Sequence, residues 1–277
     1  MSIKVDNVAG SWPQAGLNNA DLVVDTPVEG GLTRLFAVFQ SAGSSLVGPV
    51  RSARPVDGDL LRLLGGGYFA YSGANAGEIG PVRANSTAVL MSFDADNALF
   101  IKRGDHASPH NVFATTDALY AYGAGVRAGL GPAKPLFTYS ASVPAGTVAT
   151  AGVRVRYSSA LAQWAWNGAE YARDQDGRPD LLVDGTQVVT TNVVVMSVTL
   201  RDSGVRDSLH NVEPWPQIIG SGQCWVLRDG QRVTGTWRRA SLTSPMALTD
   251  AQGTPIALAP GRTWIELEPS GDTPTFS

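Results

Sequence analysis

The chain has 277 residues, 43% of them hydrophobic and 16% charged, enough to bury one large core or two ordinary ones, and its 31 Gly and 17 Pro favour short elements joined by many turns. A formal net charge of −3, a pI of about 5.6 and the lack of any Lys/Arg run argue against a nucleic-acid surface. No stretch approaches the about eighteen apolar residues of a membrane-crossing helix, and the one cysteine, Cys224, rules out an internal disulfide and reads as a small buried hydrophobe.

Met1 and Ser2 run almost directly into a first strand, "IKVDN", the short lead expected of a chain from which an export signal has been removed. "DLVVDT" and "TRLFAVFQ" are apolar runs of strand length, the second nearly continuous, as for a strand buried on both faces. "GPVRSARPVDGDLL" then sets Arg51 and Arg54 on either side of Ser52-Ala53. In "DGDLLRLLGGG", Leu60, Leu61, Leu63 and Leu64 predict a short helix that Gly65, Gly66 and Gly67 end. "YFAYSG" predicts a strand, "GANAGEIGPVRANS" a Gly-rich loop, and "TDALYAYGAG" a helix with Thr116 or Asp117 as N-cap.

The Gly-, Pro- and Ser-rich stretch 131–146 predicts a boundary, giving domains 1–145 and 146–277. Beyond it the pattern is nearly all β. "VRVRYS" alternates, "QWAWNGAEYAR" predicts a hairpin around Asn167-Gly168, and "TNVVVMSVTL" a buried strand. "CWVLRDGQRVTGTWRR" predicts a hairpin around Asp229-Gly230, and "MALTDAQGTPIALAPGRTWIELEP" a third. The predicted fold class is α+β, with a mixed α/β N-terminal half and a mainly antiparallel β C-terminal half.

The chemical motifs are sparse. His106 and His110 are four apart, but Pro109 between them prevents a shared helix face, and His210 is remote, so no stoichiometric metal is expected. "DQDGRPD" puts Arg178 where a calcium loop needs a ligand and reads as a polar turn. There is no G-x-S-x-G elbow and no S-x-x-K pair, and "LGGGYFAYSG" leads into a strand rather than a helix, so neither a phosphate loop nor a nucleotide cofactor is expected. What remains is a set of polar residues at predicted strand ends: Asp6 and Asn7, Glu29 beside Gly30-Gly31, Arg34, Arg51, Arg54, and Arg103, His110 and Asn111 in "RGDHASPHNVF". Guanidinium groups present a fork of donors matching carboxylate and phosphate. Three Arg near one Glu leave surplus positive charge, which favours an anion site. The competing reading is a structural clamp in which Arg51 and Arg54 pair with Glu29, Asp57 or Asp59.

Several segments, taken in order, resemble a known family. "KVDN", followed by P-Q-x-G-L-x-x-A-D, "VEGGLTRLFAVFQ", "GPVRSARP" and "SPHNVFAT" are similar to the YerB-like bacterial lipoproteins, domain of unknown function 3048. So are "TNVVVMSV", "IIGSGQCWVLRDGQRVTGTWRR" and "PGRTWIELEP", which resemble the C-terminal domain of that family. The resemblance implies two family domains and an exported protein, lipid-anchored on the outer face of the cytoplasmic membrane; Cys224 lies too deep in the chain to be the anchor. It implies no reaction.

The expectation is an extracytoplasmic envelope module that binds an anionic small molecule or envelope polymer: a phosphate-bearing wall polymer, a lipid headgroup or a peptide carboxylate. Arg34, Arg51 and Arg54 would hold the charge, with His110 and Asn111 orienting it. An alternative is a hydrolase or transferase on envelope polymers with Glu29, His110 or Asp57 as acid or base. A third is a protein-binding scaffold using an exposed β edge.

Overall fold

In the computed structural model, which describes residues 1–131, 135–207 and 210–277, the apolar runs from both halves of the chain line up in one long sheet. The first half contributes β1 (Ser2–Asp6), β2 (Leu22–Pro27), β3 (Thr33–Val38), α1 (Pro55–Leu63), β4 (Tyr68–Tyr71), α2 (Ala76–Asn85), β5 (Val89–Ser92) and α3 (Thr116–Val126). The second contributes β6 (Gly152–Arg156), β7 (Leu161–Trp166), β8 (Tyr171–Gln175), β9 (Asn192–Val198), β10 (Leu200–Arg206), β11 (Val212–Pro216), β12 (Gly220–Arg228), β13 (Gln231–Arg239), β14 (Ala247–Thr249), β15 (Thr263–Pro269) and β16 (Thr275–Phe276). The fold is α+β, and among the described residues no helix lies between 150 and 270.

The long sheet runs β14-β13-β12-β9-β15-β2-β3-β1-β4-β5. Its β12–β13 hairpin turns at Asp229-Gly230, where both residues have positive φ and Arg228 pairs with Gln231. A second sheet, β8-β7-β6-β16 with short flanking strands, turns from β7 into β8 through Asn167–Glu170, and the Asn167 side chain accepts from Ala169 N and Glu170 N.

Three expectations need correction. The last apolar run does not return on β14. Residues 249 to 255 form a tight bridge, but β15 runs on into the middle of the long sheet, parallel to both β9 and β2, with Trp264 beside Val193 and Val23. The Gly-rich stretch expected as a loop contains α2. Asn75 caps it, accepting from Gly77 N and Glu78 N, while Glu78 accepts from Asn75 N at 2.6 Å. Gly58 makes room for this helix, because a Cβ there would lie 2.8 Å from Pro81 O. The N-cap of α3 is Thr115, whose Oγ1 accepts from Ala118 N; the hydroxyl of Thr116 points back to Ser44 N at 2.8 Å.

Both faces of the long sheet are covered. One carries Phe36, Val24, Met196, Ile265 and Leu267 against Leu60 and Leu61 of α1 and Ile79 and Val82 of α2. The other carries Ile3, Val5, Val23, Val193 and Trp264 against Val153, Val155, Ala162, Trp164 and Tyr171 of the second sheet. Each fully buried aliphatic or aromatic side chain of this kind contributes roughly 1.5–3 kcal/mol.

A buried ionic cluster interrupts the second interface. Arg173 pairs with Asp25 at 2.9 Å and Asp180 at 2.5 Å and stacks over Trp264 at 4.8 Å. Glu266, beside Asp25 in the register, accepts from Tyr157 Oη at 2.7 Å and Trp164 Nε1 at 2.8 Å. Three carboxyls around one guanidinium cannot all be charged at low cost. Burial and the Glu266 charge raise Asp25 to about 8 against the pull of Arg173. Further along β15, Glu268 is buried with both carboxyl oxygens unpartnered among the described residues, and burial lifts it to about 7.

Two outcomes follow. Arg173→Met should cost about 3–5 kcal/mol, because it leaves the carboxyls without their buried cation; urea unfolding measures this. The folded chain also holds protons on Asp25 and Glu268 that the unfolded chain releases in the ordinary carboxylate range. Stability should therefore fall as pH rises from about 5 to 8. Glu268→Gln should flatten the part of that fall below about pH 7, gaining roughly 1–3 kcal/mol at pH 8; urea melts across this range would reveal an unchanged slope if the inference is wrong.

Candidate functional site

The polar residues picked out in the sequence converge where β1 ends and β3 begins. The antiparallel register sets Asp6 opposite Arg34 and Lys4 opposite Phe36, so all four share the face that α1 covers. The stretch after β3 returns alongside β1: Asp6 N donates to Pro49 O, and Arg51 N donates to Lys4 O. This brings Arg51 beside Asp6, with Nε 3.1 Å from Asp6 Oδ2.

His110 arrives from a separate turn. Val50 N donates to Val112 O, and the short ladder Ile101–Lys102 with Val112–Phe113 holds the turn in place. His110 Nδ1 then lies 2.7 Å from Asp6 Oδ2. The lack of a side chain at Gly10 leaves space for the ring, since a Cβ there would be 3.1 Å from His110 Cδ2. Asp6 is buried and also accepts from Asn7 N at 3.1 Å. One carboxylate thus orients both an imidazole and a guanidinium.

Arg54 is placed differently. Its guanidinium is buried among three carboxylates: Glu29, Glu78 at 3.1 Å and Glu213 at 2.5 Å. It also donates to Ala53 O at 2.8 Å. Glu29 bridges to Arg34 Nη2 at 3.4 Å. Burial pushes the Glu29 carboxyl up, but a hydrogen bond from Glu213 and the charges of Arg34 and Arg54 outweigh it and hold Glu29 well below the usual carboxylate range. Burial and the Glu29 charge together raise Glu213 to about 9.

Asp57 is held by other partners. It pairs with the buried Lys4 at 2.8 Å, and its other oxygen accepts from Arg54 N at 2.7 Å, holding the start of α1. Asp59 accepts from Asn85 Nδ2 and Trp215 Nε1. Asn111 neighbours His110, but its backbone carbonyl holds Arg103 N, and no side-chain bond links it to Arg51 or Asp6. His106 lies elsewhere, edge-on to Phe113 with Nε2 3.1 Å from Pro13 O. Among the described residues no three His, Cys, Asp or Glu side chains are grouped to hold a metal ion.

The surplus of positive charge expected from three Arg near one Glu is absent, because Asp6, Glu78 and Glu213 are also present. Glu78 had a readable signal, the capping box Asn75-x-x-Glu78. Glu213 had none, because its partner lies 159 positions away in the chain and on a different element. Donor capacity nevertheless remains. Arg34 Nε and Nη1 are buried without a hydrogen-bond partner among the described residues. Burial, Arg54 and Arg51 weaken the hold of Arg34 on its proton, to about 10, although Glu29 and Asp6 oppose this.

The whole chain aligns at 26% identity, covering 83% of the relative, with the protein named "Putative lipoprotein YerB" from Bacillus subtilis (strain 168). The fold superposes with a TM-score of 0.84 on the crystal structure of YerB protein from Bacillus subtilis, at 22% identity, covering all of this chain and 93% of the other. Residues 1–128 match the family described as "Protein of unknown function (DUF3048) N-terminal domain", and residues 153–265 match its C-terminal domain. The chain therefore belongs to the DUF3048 family and carries both of its domains in order.

Proposed function

We propose that the protein is the extracytoplasmic part of a membrane-anchored lipoprotein and binds an oxyanion, phosphate or carboxylate, between Arg34, Arg51 and His110. The similarity to a relative named as a lipoprotein supports the first part. No helix among the described residues is long and apolar enough to cross a membrane.

The observation that carries the binding reading is the pair of unsatisfied, buried N–H donors on Arg34 next to Arg51. A buried donor left unpaired costs about 1–3 kcal/mol. Arg51 is partly exposed, makes no hydrogen bond from its guanidinium to other described residues, and forms an ion pair with Asp6. An oxyanion accepting from both would fill these donors and reduce the repulsion between the two cations. His110, fixed by Asp6 through Nδ1, keeps Nε2 for the same ligand. Arg54 is already paired with Glu29, Glu78 and Glu213 in this structure.

The Asp6–His110 pair favours a second reading. A carboxylate holding imidazole Nδ1 leaves Nε2 able to move a proton, with the guanidiniums stabilising developing negative charge. In that case a phosphodiester or ester model substrate should turn over, and His110→Ala should abolish turnover while the fold is kept.

The binding reading is tested by thermal melts in increasing inorganic phosphate. The wild-type melting temperature should rise with phosphate. Arg51→Lys keeps the charge but loses the bidentate fork, and should weaken the apparent affinity about ten- to a hundred-fold, the equivalent of roughly 1.5–3 kcal/mol for a charged hydrogen bond. Without phosphate the variant should melt within a few degrees of wild type. A wild-type protein insensitive to phosphate, with Arg51→Lys unfolded, would make Arg51 a structural clamp.

A further inference from the structure

The hairpin β10–β11 stands apart from the rest of the fold. It forms its own two-stranded sheet and pairs with neither larger sheet. Most of its residues are exposed or half-buried, including Leu200 and Val212. Three side chains tie it to the first half of the chain. Glu213, 1% exposed, reaches Arg54 and Glu29, and Trp215 Nε1 donates to Asp59 Oδ2 at 2.9 Å. Val205 also rests on α2 at Gly77. Elements with so little burial open locally at a small fraction of the global unfolding cost.

We propose that the Glu213 carboxyl is an internal stand-in for a ligand's carboxylate, and that outward movement of the hairpin opens a second anion position at Arg54, contiguous with Arg34. This rests on the anion-binding reading above and extends it: the site has two positions, and one is masked by the chain itself. The geometry is that of a bound acid. Arg54 Nε lies 2.5 Å from Glu213 Oε2, and Glu213 Oε1 is buried without a partner among the described residues. A covalently tethered carboxyl competes with free ligand at high effective concentration, so removing it should raise affinity. The groups facing Glu213 are Glu29 from the turn after β2, Arg34 from β3 and Arg54 at the start of α1, with Glu78 of α2 behind Arg54. Burial and the neighbouring Glu29 raise the Glu213 carboxyl to about 9 when the hairpin is closed, so closing takes up a proton and rising pH should favour the open form.

A designed crosslink tests the idea in the full chain. A Cβ placed on Gly77 would lie 3.7 Å from Val205 Cβ, within the roughly 3.5–4.5 Å span of a disulfide. The native Cys224 is buried and does not compete. In Gly77→Cys/Val205→Cys, oxidation should lock the hairpin and reduction should free it. Succinate, titrated by calorimetry, should bind at least fivefold more weakly to the oxidised than to the reduced form. It should bind Glu213→Ala at least fivefold more tightly than wild type. Hydrogen exchange in wild type should be faster at 201–206 and 212–216 than in β9 and β12, and slower in the oxidised variant.

Equal succinate affinity in oxidised and reduced forms, or hairpin amides as protected as those of β9, would overturn the proposal. Phosphate stabilisation of wild type alongside either result leaves the Arg34–Arg51 site standing and removes the masked position alone. Absence of phosphate stabilisation in every form removes the site itself.

Discussion

The parallel insertion of β15 between β2 and β9 is the constraint on which the rest of the structure depends. It makes strands from the two ends of the chain neighbours, so the apolar faces of both halves form two continuous surfaces. Parallel strands in the middle of a sheet are buried on both sides. β15 meets this with Ile265 and Leu267 on one face and Trp264 on the other, but it also carries Glu266 and Glu268 into the interior. The insertion thus creates both the long core and the acid that the core must neutralise.

Buried charge is paired separately on the two sides of the sheet. On the side of the second sheet, Arg173 faces Asp25 and Asp180 while tyrosine and tryptophan donors satisfy Glu266. On the helical side, Lys4 and Asp57 pair without exposure, and Arg54 gathers Glu29, Glu78 and Glu213. Taking such charges out of water is repaid only when partners and hydrogen bonds surround them closely. Arg54 meets that condition while the hairpin is closed. Arg34 does not, and the unsatisfied donors mark the place where the network is open to an added acceptor.

The hairpin links the two roles. Its acid completes the Arg54 cluster, yet its strands add little to the core. The second half of the chain therefore touches the polar site of the first half through a loosely held element, while the two halves are joined firmly through β15. Rigidity and access are assigned to different contacts.

Much of this was legible in the sequence. Period-two alternation and Asp-Gly placed the β12–β13 hairpin, the Leu-rich run placed α1, and guanidinium and carboxylate residues at strand ends pointed to the corner of the fold where they meet, because local periodicity and turn chemistry act within a few residues. The stretch holding α2 read as a loop because its glycines mask the pattern; Gly77 faces Val205 of the hairpin, while the close contact between α1 and α2 is made at Gly58 of α1, and both are tertiary facts. The return of β15 to the sheet centre and the meeting of Glu213 with Arg54 were decided by tertiary structure alone. Strand order and long-range ion pairs depend on which surfaces are buried together, and no local window of sequence carries that information.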